Sequence, residues 1–335
     1  MKRVSHRLSD ALKSILRMEQ RKMVRALVFP GQGSQSVGMG KELYDVFAEA
    51  KDVFHEVDDA LSQNLSEIIF SGDIEELTLT QNAQPALMAT SLAAFSVLEK
   101  QSGKDITELA SYVAGHSLGE YSALAAAKTF TIADTARLLR IRGNAMQEAV
   151  PKGEGAMAAI IGVKPDVAAD IADEAAEEGC CQVANDNSDG QVVISGSKAA
   201  IERGEAIALA KGAKKYVVLN VSAPFHCALM SPAADAMAQA LVEVNMQEPL
   251  VPLLANVTAE ESSDVAVIRR QLVEQVTGQV RWRESIQSLS GKGVAQVVEV
   301  GAGKVLSGLI RRINRNIKTA AIGTPQDVEK FIETL

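Results

Sequence analysis

Short apolar runs alternate with amphipathic stretches along most of this chain. Arg25-Ala26-Leu27-Val28-Phe29-Pro30 has the pattern of a buried strand and runs into Gly31-Gln32-Gly33-Ser34-Gln35. Two helices are predicted next, near 40–63 and 84–101. Leu109-Ala110-Ser111-Tyr112-Val113-Ala114 reads as a second short buried strand, and Glu120 to Ala127 as the start of a helix. Helical periodicity returns from Ile132 to Glu148, with Leu138, Leu139, Ile141 and Met146 facing inward. Pro151, Gly153 and Gly155 then mark a boundary.

Past that boundary the order changes. Strand 155–161, helix 165–178 and strand 181–185 lead to an Asn-Ser-Asp-Gly turn at 187–190. Strand 191–195, helix 197–211 and strand 215–220 follow. This is β-α-β-β-α-β, the ferredoxin-like arrangement. It reads as a small domain, 151–220, inserted into a large α/β domain made of 25–150 and 221–335. The large domain resumes with a helix near 230–244, strand Val251–Val257 and a helix near 264–276. Strand Ala295–Val300 and a final helix from about 304 complete it, and residues 1–24 form a separate N-terminal extension.

Composition narrows the class. The 335 residues are 47% hydrophobic and only 4% aromatic, which favours a close-packed α/β protein over an all-β one. A formal charge of −8 argues against a nucleic-acid partner, so an anionic ligand needs a local basic cluster. Cys180 and Cys181 are adjacent and Cys227 is apart, which makes no disulfide framework and points to a reducing, cytoplasmic compartment. No apolar run reaches membrane-spanning length, so no membrane partner is expected. The extension carries Lys2, Arg3, Arg7, Lys13, Arg17, Arg21 and Lys22 against Asp10 and Glu19, with Val4, Leu8, Ala11, Leu12 and Ile15 at helical spacing. It lacks the continuous apolar stretch of a secretory signal. A short helix is expected there, a transit peptide is the alternative, and translation could begin at Met23.

The strongest chemical signal is Gly115-His116-Ser117-Leu118-Gly119, which fits G-x-S-x-G. In that motif a serine sits on a sharp turn between a strand and a helix, and both flanks here have that pattern. Small neighbours let the backbone turn tightly. The helix N-terminus supplies free N–H groups and a positive dipole end for an oxyanion. An activated serine needs a base. His6 lies in the extension, His55 on a charged helix face, and His116 beside the serine with its side chain expected to leave the turn in another direction. That leaves His226, in Ser222-Ala223-Pro224-Phe225-His226-Cys227, read at the end of a strand where sites of α/β folds gather. A core histidine is the alternative. Cys227 reads as a small buried thiol rather than a rival nucleophile. No acidic residue stands out as a third member, so a backbone carbonyl or an amide is expected to orient the imidazole.

Gly31-Gln32-Gly33 and Gly301-Ala302-Gly303-Lys304 fit neither dinucleotide nor P-loop spacing, though both allow a ligand close to the backbone. Arg142 lies near one end of a mostly apolar helix. A solvated arginine is its ordinary reading, and a substrate carboxylate is its partner if it faces the site.

Together these pieces resemble the malonyl-CoA:acyl carrier protein transacylases of fatty-acid synthesis. The likeness runs from about Arg25 to about Arg312. It rests on Phe29-Pro30-Gly31-Gln32-Gly33-Ser34-Gln35, Gln84-Pro85-Ala86, Gly115 to Tyr121, Met146-Gln147-Glu148-Ala149, Gly155-Ala156-Met157-Ala158-Ala159, Gln191-Val192-Val193-Ile194-Ser195-Gly196 and Glu299-Val300-Gly301. The resemblance implies an α/β-hydrolase-like core with the ferredoxin-like insert. It implies Ser117 as nucleophile, His226 as base, and Gln275 orienting His226 through its main-chain carbonyl. The N–H groups of Gln32 and Leu118 would form the oxyanion hole. Arg142 would bind the malonyl carboxylate, Asn187 would line the cleft from the small domain, and Phe225 would disfavour an α-methyl group.

The implied reaction is ping-pong transfer through a malonyl-serine. Its partners are malonyl-CoA and the phosphopantetheine arm of acyl carrier protein, met by a monomer without metal or cofactor. An acetyl group would leave Arg142 buried and unpaired, so a strong malonyl preference is expected. Gly301-Ala302-Gly303 departs from the Gly-Pro-Gly of many relatives, and a slightly looser turn is expected there. The carrier is acidic, and two basic clusters are candidates to dock it: Arg311, Arg312, Arg315 and Lys318, or Lys211, Lys214 and Lys215. A serine hydrolase with the same serine and base, and a non-catalytic carrier-protein scaffold, are the rival readings.

Overall fold

The computed structural model describes residues 23–177 and 179–335. The helix expected near the N-terminus, and His6 with it, lie outside the described residues. In the described residues the strands are β1 (Arg25–Phe29), β2 (Tyr112–Gly115), β3 (Gly155–Ile161), β4 (Cys181–Ser188), β5 (Gln191–Ser197), β6 (Lys215–Val218), β7 (Leu253–Leu254), β8 (Glu261–Ser262), β9 (Gln296–Val300) and β10 (Lys318–Ile322).

The large sheet has the order β10-β9-β1-β2-β7-β8, parallel except for its antiparallel edge strand β8. A central parallel strand is covered on both faces, which is why β1 is buried throughout. Register places Phe29 opposite Gly115, so β1 and β2 end level. The loops leaving their carboxyl ends therefore emerge side by side, where ligands of α/β sheets bind.

The small sheet is antiparallel, in the order β4-β5-β3-β6. Strand alternation divides its two faces. Ala158, Ile160, Val192 and Ile194 pack with Ile171 and Ile201 of helices Pro165–Ala176 and Lys198–Ala210. Met157, Ala159 and Val193 face the other way and join the main core. Main-chain bonds tie β4 to the large unit, from Asp186 N–H to Val280 O (3.0 Å) and from Val280 N–H to Ala184 O (2.8 Å). Arg283 Nη2 holds the buried Asp186 carboxylate at 2.7 Å.

Several boundaries differ from the sequence reading. The strand expected from Leu109 begins at Tyr112, because Ile106–Leu109 is a short helix opened by an Asp105/Glu108 capping box. The helix expected over 40–63 breaks at Phe47, which is extended (φ −114°, ψ 130°). The helix expected from 84 starts at Thr80 and accommodates Pro85 near its beginning. β4 runs on to Ser188 through two register shifts, while β7 keeps only Leu253–Leu254 of the expected 251–257. Helix Trp282–Gly291, strand β10 and helix Pro325–Ile332 add to the expected set.

Helix Ile132–Glu148 has the predicted limits but one side chain reversed. Ile141 is 40% exposed and Arg142 only 1% exposed. The inward stripe is 138, 139, 142 and 146, so a charge occupies a core position of the helix. Gly143 lets this helix approach helix Thr80–Ser102, since a Cβ there would lie 2.5 Å from Gln81 Cα. No helix of the described residues is long and apolar enough to cross a membrane.

Close backbone packing under the elbow gives a stability expectation. A Cβ on Gly115 would lie 1.9 Å from the Gly119 backbone, and one on Gly119 would lie 2.2 Å from Phe29 O. Gly115→Ala and Gly119→Ala are each expected to destabilise by about 1–3 kcal/mol or more. Gly308, inside helix Val305–Ile313, meets nothing within 4 Å, so Gly308→Ala is expected to stabilise by about 0.8–1 kcal/mol. Urea unfolding of the three variants checks this, and equal midpoints would contradict it.

Candidate active site

β2 stops at Gly115 and helix Gly119–Ala126 starts four residues later. The turn between them forces Ser117 into the left-handed region at φ 53°. Such a conformation persists only where the surroundings hold it. Asn256 supplies that hold. Its Oδ1 accepts the Ser117 N–H at 2.8 Å and its Nδ2 donates to Gly115 O at 2.7 Å.

Ser117 Oγ lies 2.7 Å from His226 Nε2. On the other side of the ring, His226 Nδ1 faces the main-chain oxygens of Gln275 (2.8 Å) and Gly278 (3.1 Å). Carbonyls only accept, so Nδ1 carries the proton and Nε2 is free to receive one from Ser117. His226 stands in a loop and not at a strand end, since β6 finishes at Val218. Its own φ is 60°, which turns the ring back toward the elbow. Burial, and after it the charge of Arg142, pull its pKa down to about 3. The Cys227 thiol next to it is buried, donates to Pro224 O, and is pushed up to about 12 by burial. It therefore lacks the thiolate that nucleophilic attack requires.

Arg142 reaches the same point from the helix behind. Nη2 donates to Ser117 Oγ at 3.1 Å and to Gln275 Oε1 at 2.8 Å, and Nη1 donates to Gln84 Oε1 at 2.7 Å. The guanidinium lies 5.8 Å from the Tyr121 ring centroid. This corrects the expectation of an unpaired arginine: amides already satisfy two of its nitrogens, and Nε alone lacks a partner among the described residues. Burial lowers its pKa from the usual value.

A cavity of about 350 Å³ opens over these groups. Its walls include Arg142, Met157, Asn187 and Phe225 with the Ser117–His226 pair. Gln32 and Leu118 also line it, and the main-chain N–H of neither has a partner among the described residues. The Gln32 side chain accepts from Thr80 Oγ1 at 3.1 Å. All eight candidate residues thus converge on one place.

The sequence reading misses four contributors. His116 leaves Ser117 to His226, as expected, but it is not idle: its Nε2 donates to Asn187 Oδ1 at 2.8 Å, and its ring packs on Trp282 at 5.6 Å as part of the cavity wall. Burial lowers its pKa. Gln84 holds Arg142, Asn256 holds the elbow, and Glu120 is buried behind Gln275, which donates to it through Nε2. Gln84 and Glu120 stand inside shared sequence stretches, a signal that could have found them. Asn256 has no such signal.

The chain matches the acyl transferase domain family over residues 26–334. It is 47% identical over 311 residues to the malonyl CoA-acyl carrier protein transacylase of Bacillus subtilis, covering 92% of this chain and 96% of that protein. The Escherichia coli K12 protein of the same name is 43% identical over 308 residues, covering 92% and 98%. The solved acyl-carrier-protein-S-malonyltransferase of Bartonella henselae is 56% identical with a TM-score of 0.91, covering 93% of this chain and 99% of that one. A malonyl-transacylase solved in complex with a type II PKS acyl-carrier protein is 40% identical with a TM-score of 0.90, covering 93% and 100%. An acid-free Ser–His pair beside a buried arginine, on this fold and with these relatives, makes the chain a member of the acyl transferase family and, within it, of the malonyl CoA-acyl carrier protein transacylases.

Proposed function

We propose that this chain moves a malonyl group from malonyl-CoA to the phosphopantetheine thiol of acyl carrier protein, with Ser117 as the covalent carrier. The observation behind this reading is the Arg142 guanidinium 3.1 Å from the Ser117 hydroxyl. In a malonyl thioester one methylene separates the acyl carbon from the carboxylate. An acyl carbon placed for attack by Ser117 therefore sets its carboxylate beside Arg142, which binds it bidentately.

Ser117 Oγ attacks the thioester carbonyl as His226 Nε2 takes its proton. The Gln275 carbonyl holds the ring in the tautomer this needs. The oxyanion forms against the N–H groups of Gln32 and Leu118, at the positive end of helix Gly119–Ala126. Its collapse breaks the C–S bond, and His226 returns the proton to the departing CoA thiolate. In the second half, His226 takes the proton of the carrier thiol, whose sulfur attacks the malonyl-serine ester, and Ser117 leaves with that proton restored. Arg142 pins the acyl group while the cavity limits water.

Segment 151–220 acts here as a small domain roofing the cavity, with Asn187 and Met157 on its inner side. Phe225 stands where an α-methyl group would need room. The enzyme works as a cytoplasmic monomer with no metal or cofactor.

Incubation with malonyl-CoA, an acid quench and intact mass measurement test the assignment. Wild type is expected to gain a malonyl adduct that carrier protein discharges faster than water, and Ser117→Ala to gain none. Arg142→Ala is expected to lose about 10²–10³-fold in malonyl acylation, equivalent to about 3–4 kcal/mol, and to lose the preference over acetyl. Discharge by water alone would favour a hydrolase, and no adduct a scaffold.

The depressed pKa of His226 sets a pH expectation. A lowered folded-state value keeps the imidazole neutral well below its ordinary 6.5, down toward about 3. Acylation is therefore expected to hold its rate from about pH 7 to about pH 5. The stability this group contributes is full above about pH 6.5 and is lost as pH falls toward the folded value. An acid limb of the quench-measured rate centred near 6.5 would contradict this.

Carrier docking fits the cluster around Arg312. Arg312 Nη1 donates to Gln191 Oε1 at 2.7 Å, and Gln191 lines the cavity. Lys211 of the other cluster is engaged by Glu174 at 3.1 Å. Arg312→Glu is expected to raise the KM for carrier protein several-fold and leave that for malonyl-CoA unchanged. An unchanged KM for both would sink this patch.

A further inference from the structure

Arg142 carries its charge in a wall that sets no carboxylate directly against it. Its close partners among the described residues are two amides, one hydroxyl and the Tyr121 ring. The compensating charge stands one side chain further back. Gln275 lies between Arg142 and Glu120, and its amide is oriented by both. Its Oε1 accepts from Arg142 at 2.8 Å, while its Nε2 donates to Glu120 Oε2 and to Ser117 O at 2.9 Å. The other oxygen of Glu120 accepts the Asn256 N–H at 3.2 Å. Glu120 is buried, sits three residues after the nucleophile, and no step of the acyl transfer uses it.

Both Glu120 oxygens face donors, which favours the ionised form. Burial opposes this and is the larger effect, lifting the carboxyl to about 7. The hydrogen bonds from Gln275 and Asn256, and the charge of Arg142, pull the other way. The titratable groups around it are few. Tyr121 on the same helix is kept neutral by burial, and His226 beyond Gln275 is likewise neutral. Arg281, beyond Asn256, is paired with Glu284. Arg142 is the charge that Glu120 faces.

We propose that Glu120 is a positioning residue that balances Arg142 through Gln275 in the empty enzyme and takes up a proton when a substrate carboxylate reaches Arg142. Malonyl loading is then a proton-coupled step, and loading of an uncharged acyl group is not. This rests on the transacylase reading above. Before loading, Arg142 and Glu120 sum to zero. An arriving carboxylate makes the buried cluster negative, which a low-dielectric site resists. Protonating Glu120 restores neutrality. The balanced step is malonyl-CoA, the Ser117 hydroxyl, the Glu120 carboxylate and one solvent proton giving malonyl-Ser117, the CoA thiol and the Glu120 acid. A C–S bond breaks, a C–O bond forms, and nothing is oxidised or reduced. Gln275 suits both states. Turned over, its amide offers Oε1 to the acid and Nε2 to the substrate carboxylate. Above neutral pH, malonyl loading weakens by up to about tenfold per pH unit.

A proton count tests this. Wild-type protein is mixed with malonyl-CoA in weak buffer with an indicator dye, and protons consumed per malonyl-serine are counted after correction for ionisation of the released thiol. Uptake is expected to approach about one proton per adduct near pH 8 and to vanish near pH 6, where Glu120 is already protonated. Glu120→Asp keeps the uptake, and Glu120→Gln forms the adduct without it. The wild-type count decides even if a variant fails to fold. A wild-type adduct with no uptake near pH 8, or uptake surviving in Glu120→Gln, overturns the role of Glu120 alone. The absence of any adduct on wild type overturns the serine assignment and this role with it.

Discussion

Arg142 keeps a guanidinium out of water 3.1 Å from the Ser117 hydroxyl, and a buried charge is tolerated only where its surroundings answer it. Much of the site follows from that demand. Gln84 and Gln275 turn their carbonyl oxygens toward it. Gln275 then has its nitrogen free for Glu120 and its main-chain oxygen free for His226. One residue thereby links Arg142, His226 and a buried acid. The same charge helps keep His226 neutral.

A second constraint is steric. Ser117 and His226 both sit at positive φ without being glycine, at 53° and 60°. The Ser117 turn is held by main-chain packing that glycines permit. Gly115 and Gly119 let strand, turn and helix pass within contact of one another, and Asn256 pins the turn from outside. The strain puts the hydroxyl and the imidazole on the same side of the sheet, above the carboxyl ends of β1 and β2.

The cavity forms where two sheets meet. The inner face of the small sheet supplies Met157 and Asn187, while the large unit supplies Ser117, His226 and Arg142. Asn187 is placed by His116, the residue next to Ser117, so the small sheet is registered on the elbow itself. The Asp186–Arg283 ion pair and the Val280 main-chain bonds fasten the same stretch of β4.

The local grammar of the chain was largely legible. The strand–turn–helix of the elbow, the β-α-β-β-α-β order and the limits of helix Ile132–Glu148 follow from periodicity and turn residues, which act over a few neighbours. The motif and the choice among four histidines pointed to Ser117 and His226, Arg142 stood as a conditional candidate, the resemblance supplied the other five, and the fold brings all eight together. Periodicity failed where distant partners decide the outcome. Ile141 looked inward until the stripe through Arg142 took its place, and a charge is accepted there only because Gln84 and Gln275 arrive from 58 and 133 residues away. His116 looked idle because Asn187, 71 residues on, is what gives it work. Asn256 was silent for the same reason. By itself, then, the sequence determined which segments are strand, helix and elbow, and the chemistry available to them. Only the tertiary structure decided which buried polar groups answer one another, because a charge or a donor inside a protein is stable only against partners that folding brings from elsewhere in the chain.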